Sequence, residues 1–536
     1  MKRLLLSVLL FLILVSCKSV KKHNEHITKL HAVADLHEDV DKLYGQLKRH
    51  HPKLYQYTSK EVLDFKFDSL KNSINTPIDS RTFYKKLAPV VAEVRQGHVA
   101  VGSVSKWFTR KERKLLKKNK FEFYDLEVAY LEGKLWVKDY FGKDSTLVDN
   151  EILSINNESA SKLVEVYKTR FASDGYNKTL HDRYISKGFS VFYYKDKGFQ
   201  DSLKITFKSK DSVFNKMFRR ISKDNNKRKP QDRIKAKDST LIKGVKPLIL
   251  TKEQKQVIKI AKRKRKKTNR KYGYLGKKNK YTRNFNFIGK DTTVAYMKLR
   301  SFTNGPYKKF YKESFVKLDS AKTKYMILDL RDNGGGRIAE IDYLYSYLAN
   351  KDYQFITESE VKSKTPFLKS FMSNTTPNSL KVMGSMFYPV VAVHNLLKIK
   401  KRDGKLYYNF NKHTKIKSPN PLSYQGKLYV LINGNSFSAS SLISTHLKAN
   451  KRAVFVGEET GGAYNGTVAG IYKTYQLPTS KVKVRMGLMQ IEAPQKQTPD
   501  GYGIKPDVEI LPNLKDRKSN IDTELEWILN DIHKHH

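Results

Sequence analysis

The chain has 536 residues, of which 39% are hydrophobic and 12% aromatic, enough apolar material for two to four folded domains. Its 104 basic and 52 acidic residues give a net charge of +52, which favours acidic partners such as anionic membranes, acidic glycans, acidic peptides or nucleic acid, or else a solvated basic surface. Cys17 is the single cysteine, which excludes an intrachain disulfide and disfavours a thiol-based active site.

The N-terminus carries a signal typical of export. Lys2 and Arg3 precede an apolar run at 4–15, which is shorter than the roughly 20 residues that span a bilayer. The run ends in LVSC at Cys17, which resembles the lipobox of a bacterial lipoprotein signal. The resemblance implies a signal peptide at 1–17, lipidation of Cys17 and a tether at 18–34, and an ordinary secretory signal is the alternative. We therefore predict a lipid-anchored protein of the bacterial cell envelope, extracytoplasmic on the periplasmic or outer-membrane side.

Residues 35–110 are predicted to form an N-terminal helical region. Leu36, Val40, Leu43 and Leu47 recur at helical spacing, and a second apolar face runs from position 84 to position 94. That second helix is expected to end at Gly97, just before His98. A lone histidine in such a place is more often structural than catalytic, so the pattern alone assigns His98 no chemistry.

Residues 118–208 read as short strands and turns. Their clearest piece, Asp149–Leu163 (DNEILSINNESASKL), resembles a PDZ-like module, in which a Gly-Asp-x-Ile-Leu turn opens a strand. Here Asp149-Asn150 stands in place of the Gly-Asp pair. The resemblance implies an edge and groove that bind a peptide by strand addition, whereas the alternative is a folded spacer that shapes the cleft.

Residues 209–284 form a basic insertion, densest at the run KRKRKK of 262–267. Blocks of like charge are usually solvated or disordered. The insertion could instead lie against anionic lipid, a glycan or nucleic acid, of which nucleic acid is disfavoured because no nucleic-acid-binding fold is readable.

From 285 to 512 strand and helix patterns alternate, which predicts an α/β sheet with crossovers. Within this core, residues 351–423 show no sustained period and are expected to cover a cleft as a lid, or to form a plain surface excursion. Residues 513–536 are expected to form a C-terminal helix and tail.

Two stretches of the core carry chemistry. Lys427–Leu442 (KLYVLINGNSFSASSL) predicts a buried strand, a polar turn and a helix start. Free N–H groups and the dipole at that helix start favour a developing negative charge, so a serine nucleophile would be useful there. The serines could equally be helix caps. Tyr325–Gly336 (YMILDLRDNGGG) is a second buried strand, and its three glycines let the backbone approach a substrate closely.

Together these stretches resemble the tail-specific, or C-terminal processing, serine peptidase family. The family's oxyanion turn, Asp-Leu-Arg-x-Asn-x-Gly-Gly, is matched by Asp329, Leu330, Arg331, Asn333, Gly335 and Gly336. Two further matches follow in the family's order, Val454–Gly462 (VFVGEETGG) and Thr498–Val508 (TPDGYGIKPDV). The resemblance implies a crotonase-like ββα protease core, preceded by the helical region and the PDZ-like module.

The resemblance also implies a set of site residues. The middle serine of SFSAS, Ser438, matches the nucleophile, with the N–H groups of Gly335 and Ala439 as oxyanion donors. The lysine-using branch carries its base where this chain has Ala463, so a Ser–Lys pair is not expected. His98 matches the catalytic histidine of the tricorn-core and interphotoreceptor-retinoid-binding branch, and an imidazole can accept the serine proton at neutral pH.

The acid that completes such a site has several candidates. Asp500 occupies the place of the tricorn-core glutamate, although Pro-Asp-Gly is also an ordinary turn signal. Glu458 and Glu459 are alternatives that could instead shape a turn. Gly97 stands where the tricorn core has a serine that bridges the histidine to the acid.

The sequence predicts a serine-type endopeptidase that hydrolyses polypeptide substrates. No metal site and no cofactor are predicted, because the sequence has no Cys/His cluster and no HExxH motif. One rival is a catalytically inactive protein that binds peptides or hydrophobic ligands on the same fold. Another makes the basic insertion the main functional part, with the peptidase-like core as its scaffold.

Overall fold

The computed structural model describes residues 19–140, 144–210, 212–223, 251–276, 279–303, 305–519 and 521–534. The predicted lipoprotein signal with Cys17 lies outside the described residues, as does the part of the basic insertion at 224–250.

Four helices open the described chain: α1 (Val20–Thr28), α2 (Val33–His50), α3 (Lys60–Asn72) and α4 (Ser80–Ala92). The last three lie where the sequence predicts helices. The prediction of a tether at 18–34 is wrong for α1, whose Ile27 is buried in the core. The side chains of Ser59 and Asp79 cap α3 and α4 by accepting the Val62 and Thr82 N–H groups. The short strand β1 (Ala100–Gly102) follows α4 and ends this region.

A second unit has its own hydrophobic core and a seven-stranded sheet in the order β2-β8-β7-β5-β4-β3, with β6 beside β5. Its strands are β2 (Asn119–Phe121), β3 (Glu127–Leu131), β4 (Lys134–Asp139), β5 (Glu151–Ile155), β6 (Glu158–Ser159), β7 (Ser202–Lys208) and β8 (Val213–Ser222). Its helices are α5 (Arg110–Lys118), α6 (Ala160–Lys168) and α7 (Thr179–Lys197). The strand expected after Asp149-Asn150 is β5.

The basic insertion contains one helix among its described residues, α8 (Lys252–Tyr272). A capping box at Thr251 and Gln254 begins it, and none of its residues is buried. A small ladder follows, formed by β9 (Tyr274–Leu275) and β10 (Lys280–Tyr281).

The central sheet of the core has six strands in the order β11-β12-β13-β19-β20-β23. They are β11 (Arg283–Ile288), β12 (Val294–Leu299), β13 (Tyr325–Asp329), β19 (Lys427–Ile432), β20 (Val454–Gly457) and β23 (Val508–Glu509). All neighbours pair in parallel except β11 and β12. The apolar runs of β13 and β19 are buried on both faces, as expected for central parallel strands.

Helices cover both faces of this sheet. They are α9 (Tyr307–Ser320), α10 (Ile338–Ser346), α14 (Ala439–Ala449), α15 (Leu514–Lys518) and α16 (Thr523–Lys534). Ile528 and Ile532 of α16 pack on one face against Ile327 and Leu431. The other face joins the large core that includes α2, α3 and α4, so the N-terminal helices and the sheet fold as one body.

A second sheet links the N-terminal region to the core in the order β1-β22-β15-β17-β16, with β21 paired to β22. Its later strands are β15 (Ser359–Val361), β16 (Ile399–Arg402), β17 (Lys405–Tyr408), β21 (Thr467–Gln476) and β22 (Lys483–Ile491). Ala100 of β1 pairs with Arg485 of β22. This pairing carries the residues just before β1, including His98, to the core.

The stretch 351–423, expected to be a lid, contains regular structure. Besides β15, β16 and β17 it holds β14 (Tyr353–Gln354), β18 (Ile416–Lys417), α11 (Pro366–Phe371), α12 (Asn378–Ser385) and α13 (Tyr388–Lys398). Strands β14 and β18 pair with each other. Through β15, β16 and β17, part of this stretch belongs to the second sheet rather than to a separate flap.

Candidate active site

Ser438 lies in the turn between β19 and α14, where the sequence predicts a strand, a turn and a helix start. Its backbone has φ of 58° and ψ of −116°, a conformation that L-residues rarely adopt. Its side chain makes no capping hydrogen bond to the helix that starts at Ala439. A strained serine on a sharp strand-to-helix turn presents its hydroxyl outward, as nucleophile elbows do.

Two of the neighbouring serines, Ser436 and Ser441, have structural partners. Ser436 Oγ donates to the Leu330 carbonyl at 2.8 Å and accepts the Asn433 N–H at 3.1 Å. Ser441 Oγ donates to the carbonyl of Ser436 at 3.1 Å. These hydroxyls are buried and hold the turn together, whereas Ser438 is half-buried and lines a cavity.

The side chain of His98 meets Ser438 across the fold. His98 Nε2 lies 3.0 Å from Ser438 Oγ, although the residues are 340 positions apart. Its Nδ1 lies 3.4 Å from the hydroxyl of Tyr472 on β21, and the guanidinium of Arg485 stacks 3.6 Å from the centre of the Tyr472 ring. Burial, helped by the charge of Arg485, lowers the pKa of His98 to about 3. The imidazole is therefore neutral near pH 7 and able to accept a proton.

Position 97 has no space for a side chain, so a glycine there allows the loop that carries His98 to pack close to Phe437 and Ser438. A Cβ at position 97 would lie 2.6 Å from Cζ of Phe437, the residue before the serine, and the Phe437 ring also packs 5.0 Å from the His98 ring. A serine here, as in the tricorn core, would clash with this ring. The bridging hydroxyl is therefore replaced in this chain by an aromatic contact.

Asp174 supplies a carboxyl group that the sequence reading missed. Its Oδ1 accepts the N–H of Gly97 at 2.8 Å, and the side chain lines the same cavity as Ser438. Burial raises the pKa of Asp174 to about 7. Hydrogen bonds from the Gly97 N–H, the Thr467 hydroxyl and the Ala463 N–H lower this pKa, but their effect is smaller than that of burial. A buried carboxyl group therefore fixes the loop that carries His98 and titrates near neutral pH.

The backbone around the three glycines approaches the nucleophile closely. Gly335 has φ of 97°, and a Cβ there would lie 2.9 Å from both Ser438 Cβ and the Ala439 nitrogen. Its N–H donates to Asn333 Oδ1 at 3.0 Å, so the predicted oxyanion donor already has an acceptor. Gly336 lines the cavity, and its N–H has no backbone acceptor among the described residues. Ala439 is the first residue of α14, so its N–H has no partner within the helix.

The acids proposed from sequence have other partners. Asp500 Oδ2 accepts a hydrogen bond from Gln56 Nε2 at 2.9 Å, and no hydrogen bond joins it to His98 among the described residues. Glu458 pairs with Arg183 at 2.8 Å, and Glu459 accepts the Gly503 N–H at 2.6 Å. Both glutamates therefore stabilise the turn that follows β20.

Two Asp-Gly-Tyr turns meet next to the site, and this arrangement was not foreseen. The turn at 174–176 abuts the turn at 500–502, because the Tyr176 N–H donates to the Gly501 carbonyl at 2.7 Å. A Cβ on Gly175 would lie 2.1 Å from that carbonyl oxygen. The repeated tripeptide is visible in the sequence, but nothing in one sequence shows that the two copies touch.

The Asp-Leu-Arg motif is an ion-pair anchor. Asp329 is fully buried and accepts hydrogen bonds from Lys298 Nζ and Arg331 Nη2, both at 2.7 Å. Burial by itself would raise the pKa of Asp329, but these two cations hold that pKa well below its usual range. Arg331 also pairs with Asp522 and Glu524, which ties the turn to the start of α16.

The cavity at Ser438 has a volume of about 330 Å³. Its apolar lining comes from Ile338, Ile341, Phe410, Leu442, Ala469 and Ile491. His413 also lines it, and its Nδ1 contacts the carboxylate of Asp342, which Lys417 pairs as well. The site is thus an apolar pocket with Ser438 and Asp174 among its few polar groups. No group of metal-ligating side chains is found within the described part of the chain.

Residues 293–510 match the model of peptidase family S41 and are called the S41 domain below. All four motifs singled out in the sequence lie inside it. Among solved structures, mature CPAF complexed with lactacystin has a TM-score of 0.57 and 14% identity, over 92% of this chain and 97% of that one. Mature CPAF alone has a TM-score of 0.55 and 13% identity, over 91% and 94%.

At these identities the similarity to CPAF is one of fold. It covers nearly all of both chains, so the N-terminal helices and the second unit belong to the shared architecture together with the S41 domain. No curated protein sequence matches this chain. The resemblance to the serine peptidase family is therefore confirmed for the S41 domain, and the particular branch stays a prediction.

Proposed function

We propose that this protein is a serine endopeptidase in which Ser438 is the nucleophile and His98 the general base. The observation that carries the proposal is the 3.0 Å contact between His98 Nε2 and Ser438 Oγ at the rim of an apolar cavity in an S41 domain. The nucleophile, a neutral base within hydrogen-bond reach and free backbone donors are the parts that acyl transfer needs.

In the proposed reaction, His98 Nε2 takes the proton of Ser438 as Oγ attacks the peptide carbonyl carbon. The tetrahedral intermediate collapses, the C–N bond breaks, and the imidazolium gives its proton to the leaving amine. Water then attacks the ester and loses a proton to His98. Collapse of the second intermediate releases the carboxylic acid product and returns the proton to Ser438.

The oxyanion is assigned to the N–H groups of Ala439 and Gly336. Ala439 offers an N–H at the start of α14, where the helix dipole also favours negative charge. Gly336 is preferred to Gly335 because the Gly335 N–H donates to Asn333. The role of Gly335 is then steric, since any Cβ there would fill the space beside Ser438.

Asp174 is proposed as the acidic positioning residue in place of Asp500. It holds Gly97, the residue before His98, whereas Asp500 binds Gln56. When ionised, Asp174 would stabilise the imidazolium that forms as the serine is deprotonated. The hydroxyl oxygen of Tyr472 is proposed to accept a hydrogen bond from the Nδ1–H of His98, which fixes the tautomer that leaves Nε2 free to accept a proton.

The cellular setting is also a proposal. Lipidation at Cys17 would anchor the peptidase on the bacterial envelope, facing an extracytoplasmic compartment. Helix α8, which has no buried residue, would lie against anionic lipid or glycan, and the second unit would act as a PDZ-like module for the polypeptide substrate. Incorporation of tritiated palmitate by the parent, and its loss in Cys17→Ala, would test the anchor.

Hydrolysis of fluorescent casein tests the function directly. The parent should release fluorescence, Ser438→Ala should lose this activity, and Ser161→Ala, an exposed serine of α6, should retain it. Equal hydrolysis by the parent and Ser438→Ala would overturn the proposal. If none of the three proteins hydrolyses casein or short peptides but the parent binds them, the protein is the inactive ligand-binding rival.

A further inference from the structure

Two consecutive helices of the stretch 351–423 expose an unusually apolar surface. Helices α12 and α13, here called the apolar hairpin (residues 378–398), meet at an angle of 70°. No single helix among the described residues is long and apolar enough to cross a bilayer, but this bent pair meets the same criterion of length and composition. Among the described residues, the pair is therefore the one helical segment that is both long enough and apolar enough to meet this criterion.

Both helices of the apolar hairpin expose large apolar side chains. On α13, Val390, Val393 and Leu397 are spaced i, i+3, i+7 and are 70%, 56% and 79% exposed. The opposite face is the attached one, since Asn395 is fully buried. On α12 and the bend, Leu380, Met383 and Phe387 repeat the same spacing, also exposed. The hairpin thus exposes large apolar side chains to solvent along both helices, while Asn395 is buried against the protein.

The sequence around the hairpin is cationic. Asp403 is the one acidic residue between Lys362 and Gln425. A cluster of basic residues follows α13 directly, and Lys400 and Lys401 within it are exposed. An apolar helical face bordered by lysines is typical of helices that lie in the interface of an anionic bilayer, with the apolar side chains among acyl chains and the lysines at the headgroups.

The hairpin is attached through α11 to β21, the strand that carries Tyr472. Ser370 Oγ of α11 donates to the Tyr472 carbonyl at 2.5 Å, and Asn374 Nδ2 donates to the Gln476 carbonyl at 2.6 Å. Gly384 of α12 packs on Phe371 so closely that a Cβ would lie 2.1 Å from its ring. Whatever the hairpin binds is therefore held next to the strand that contacts His98.

We propose that the apolar hairpin is an interfacial membrane anchor that inserts into the headgroup and acyl boundary of an anionic phospholipid bilayer. This anchor is separate from Cys17 and from α8. A second copy of the chain is a less suitable occupant, because pairing two such faces would bring two lysine-rich borders together. Insertion of the hairpin would hold the cavity at Ser438 close to the membrane surface. The peptidase would then act on polypeptides at or near the bilayer.

Vesicle flotation tests the anchor in the full chain carrying Cys17→Ser, so that no acyl chain can contribute. Vesicles of phosphatidylcholine alone are compared with vesicles containing one quarter phosphatidylglycerol. The hairpin variant combines Val390→Gln, Val393→Gln and Leu397→Gln, which removes apolar surface at constant charge. The control variant combines Val62→Gln, Val166→Gln and Val191→Gln, which are exposed valines on other helices.

The parent and the control variant should float with the anionic vesicles, and the hairpin variant should partition at least about tenfold more weakly. Circular dichroism and melting temperature check that both variants are folded, independently of any peptidase activity. Equal flotation of the hairpin variant and the parent would overturn the proposal. So would a parent dimer that the hairpin variant alone converts to monomer without a change in flotation, because the face would then bind a second copy.

Discussion

Asp174 Oδ1 accepts the backbone N–H of Gly97 at 2.8 Å and so holds the residue that precedes His98. The same carboxyl group is buried at the cavity that Ser438 lines, and burial raises its pKa to about 7. The acid of this site therefore acts through the backbone of the histidine loop rather than through a side chain that touches the imidazole. Its ionisation therefore falls close to neutral pH.

Asp174→Asn should change the pH dependence of peptide hydrolysis. In the parent, kcat/KM should rise as the pH increases through about 7, because ionised Asp174 stabilises the imidazolium of His98. In the variant that rise should be absent, and kcat/KM above pH 7 should be lower. A variant profile that keeps the parent's inflection near pH 7 would assign that inflection to another group.

The same substitution carries a prediction for stability. The folded chain binds a proton on Asp174 between its ordinary pKa of 3.8 and about 7, so its contribution to stability is full below 3.8 and is lost as the pH rises through 7. The free energy of unfolding, measured with urea at pH 5 and pH 8, should therefore decrease less with pH in Asp174→Asn than in the parent. An identical decrease in both proteins would contradict a raised pKa at Asp174.

Tyr472→Phe should lower kcat about ten- to a hundredfold and change KM less, since the hydroxyl lies 3.4 Å from His98 Nδ1 and orients the imidazole, while the ring that lines the cavity is kept. Tyr475→Phe, on the same strand, is the matched control and should behave as the parent. A purely structural role for Tyr472 would instead lower the melting temperature and leave the kinetics of the folded fraction unchanged.

The glycines at 334 and 335 provide a matched pair. Gly335→Ala places a Cβ 2.9 Å from Ser438 Cβ at a φ of 97°, so we expect loss of activity and a stability cost of about 1 to 3 kcal/mol. Gly334→Ala meets no atom within 4 Å and should retain activity. Similar rates for the two variants would show that the space beside Ser438 is not needed.

Arg331→Met should destabilise the chain by about 3 kcal/mol, because it leaves the buried carboxylate of Asp329 with Lys298 as its remaining cation and removes the ion pair that joins this turn to Asp522 at the start of α16. Arg113→Met, on the exposed helix α5, should change the urea midpoint little. Equal midpoints for the two variants would mean that the ion-pair anchor contributes no net stability.

The core of the fold could be predicted from the sequence because its signals are local. Buried apolar runs followed by glycines or serines identify β13 and β19 and their turns, and these elements are found at the predicted places. The stretch 351–423 was less readable, because its regular pieces are short and its apolar helices face solvent. When the apolar side chains of a helix face solvent, their spacing along the sequence does not show how the helix packs or which role it has.

The candidate site was predictable only in part, since its geometry depends on contacts between distant residues. His98 reaches Ser438 because β1 pairs with β22, residues separated by most of the chain. Asp174 and Tyr472 join the site by the same long-range packing, and nothing in their local sequence distinguishes them from other polar turns and strands. The bond from Gly335 to Asn333 is local, so the Asn-Gly-Gly spacing could have signalled it.

The measurement that tests the central claim most directly is labelling with a fluorophosphonate probe, which reacts covalently with an activated serine. The parent, Ser438→Ala and His98→Ala are compared with His181→Ala, a histidine that bonds the Phe171 carbonyl outside the site. We predict labelling of the parent and of His181→Ala, and none of Ser438→Ala or His98→Ala. Undiminished labelling of Ser438→Ala, or an unreactive parent that is correctly folded, would contradict a Ser438–His98 peptidase.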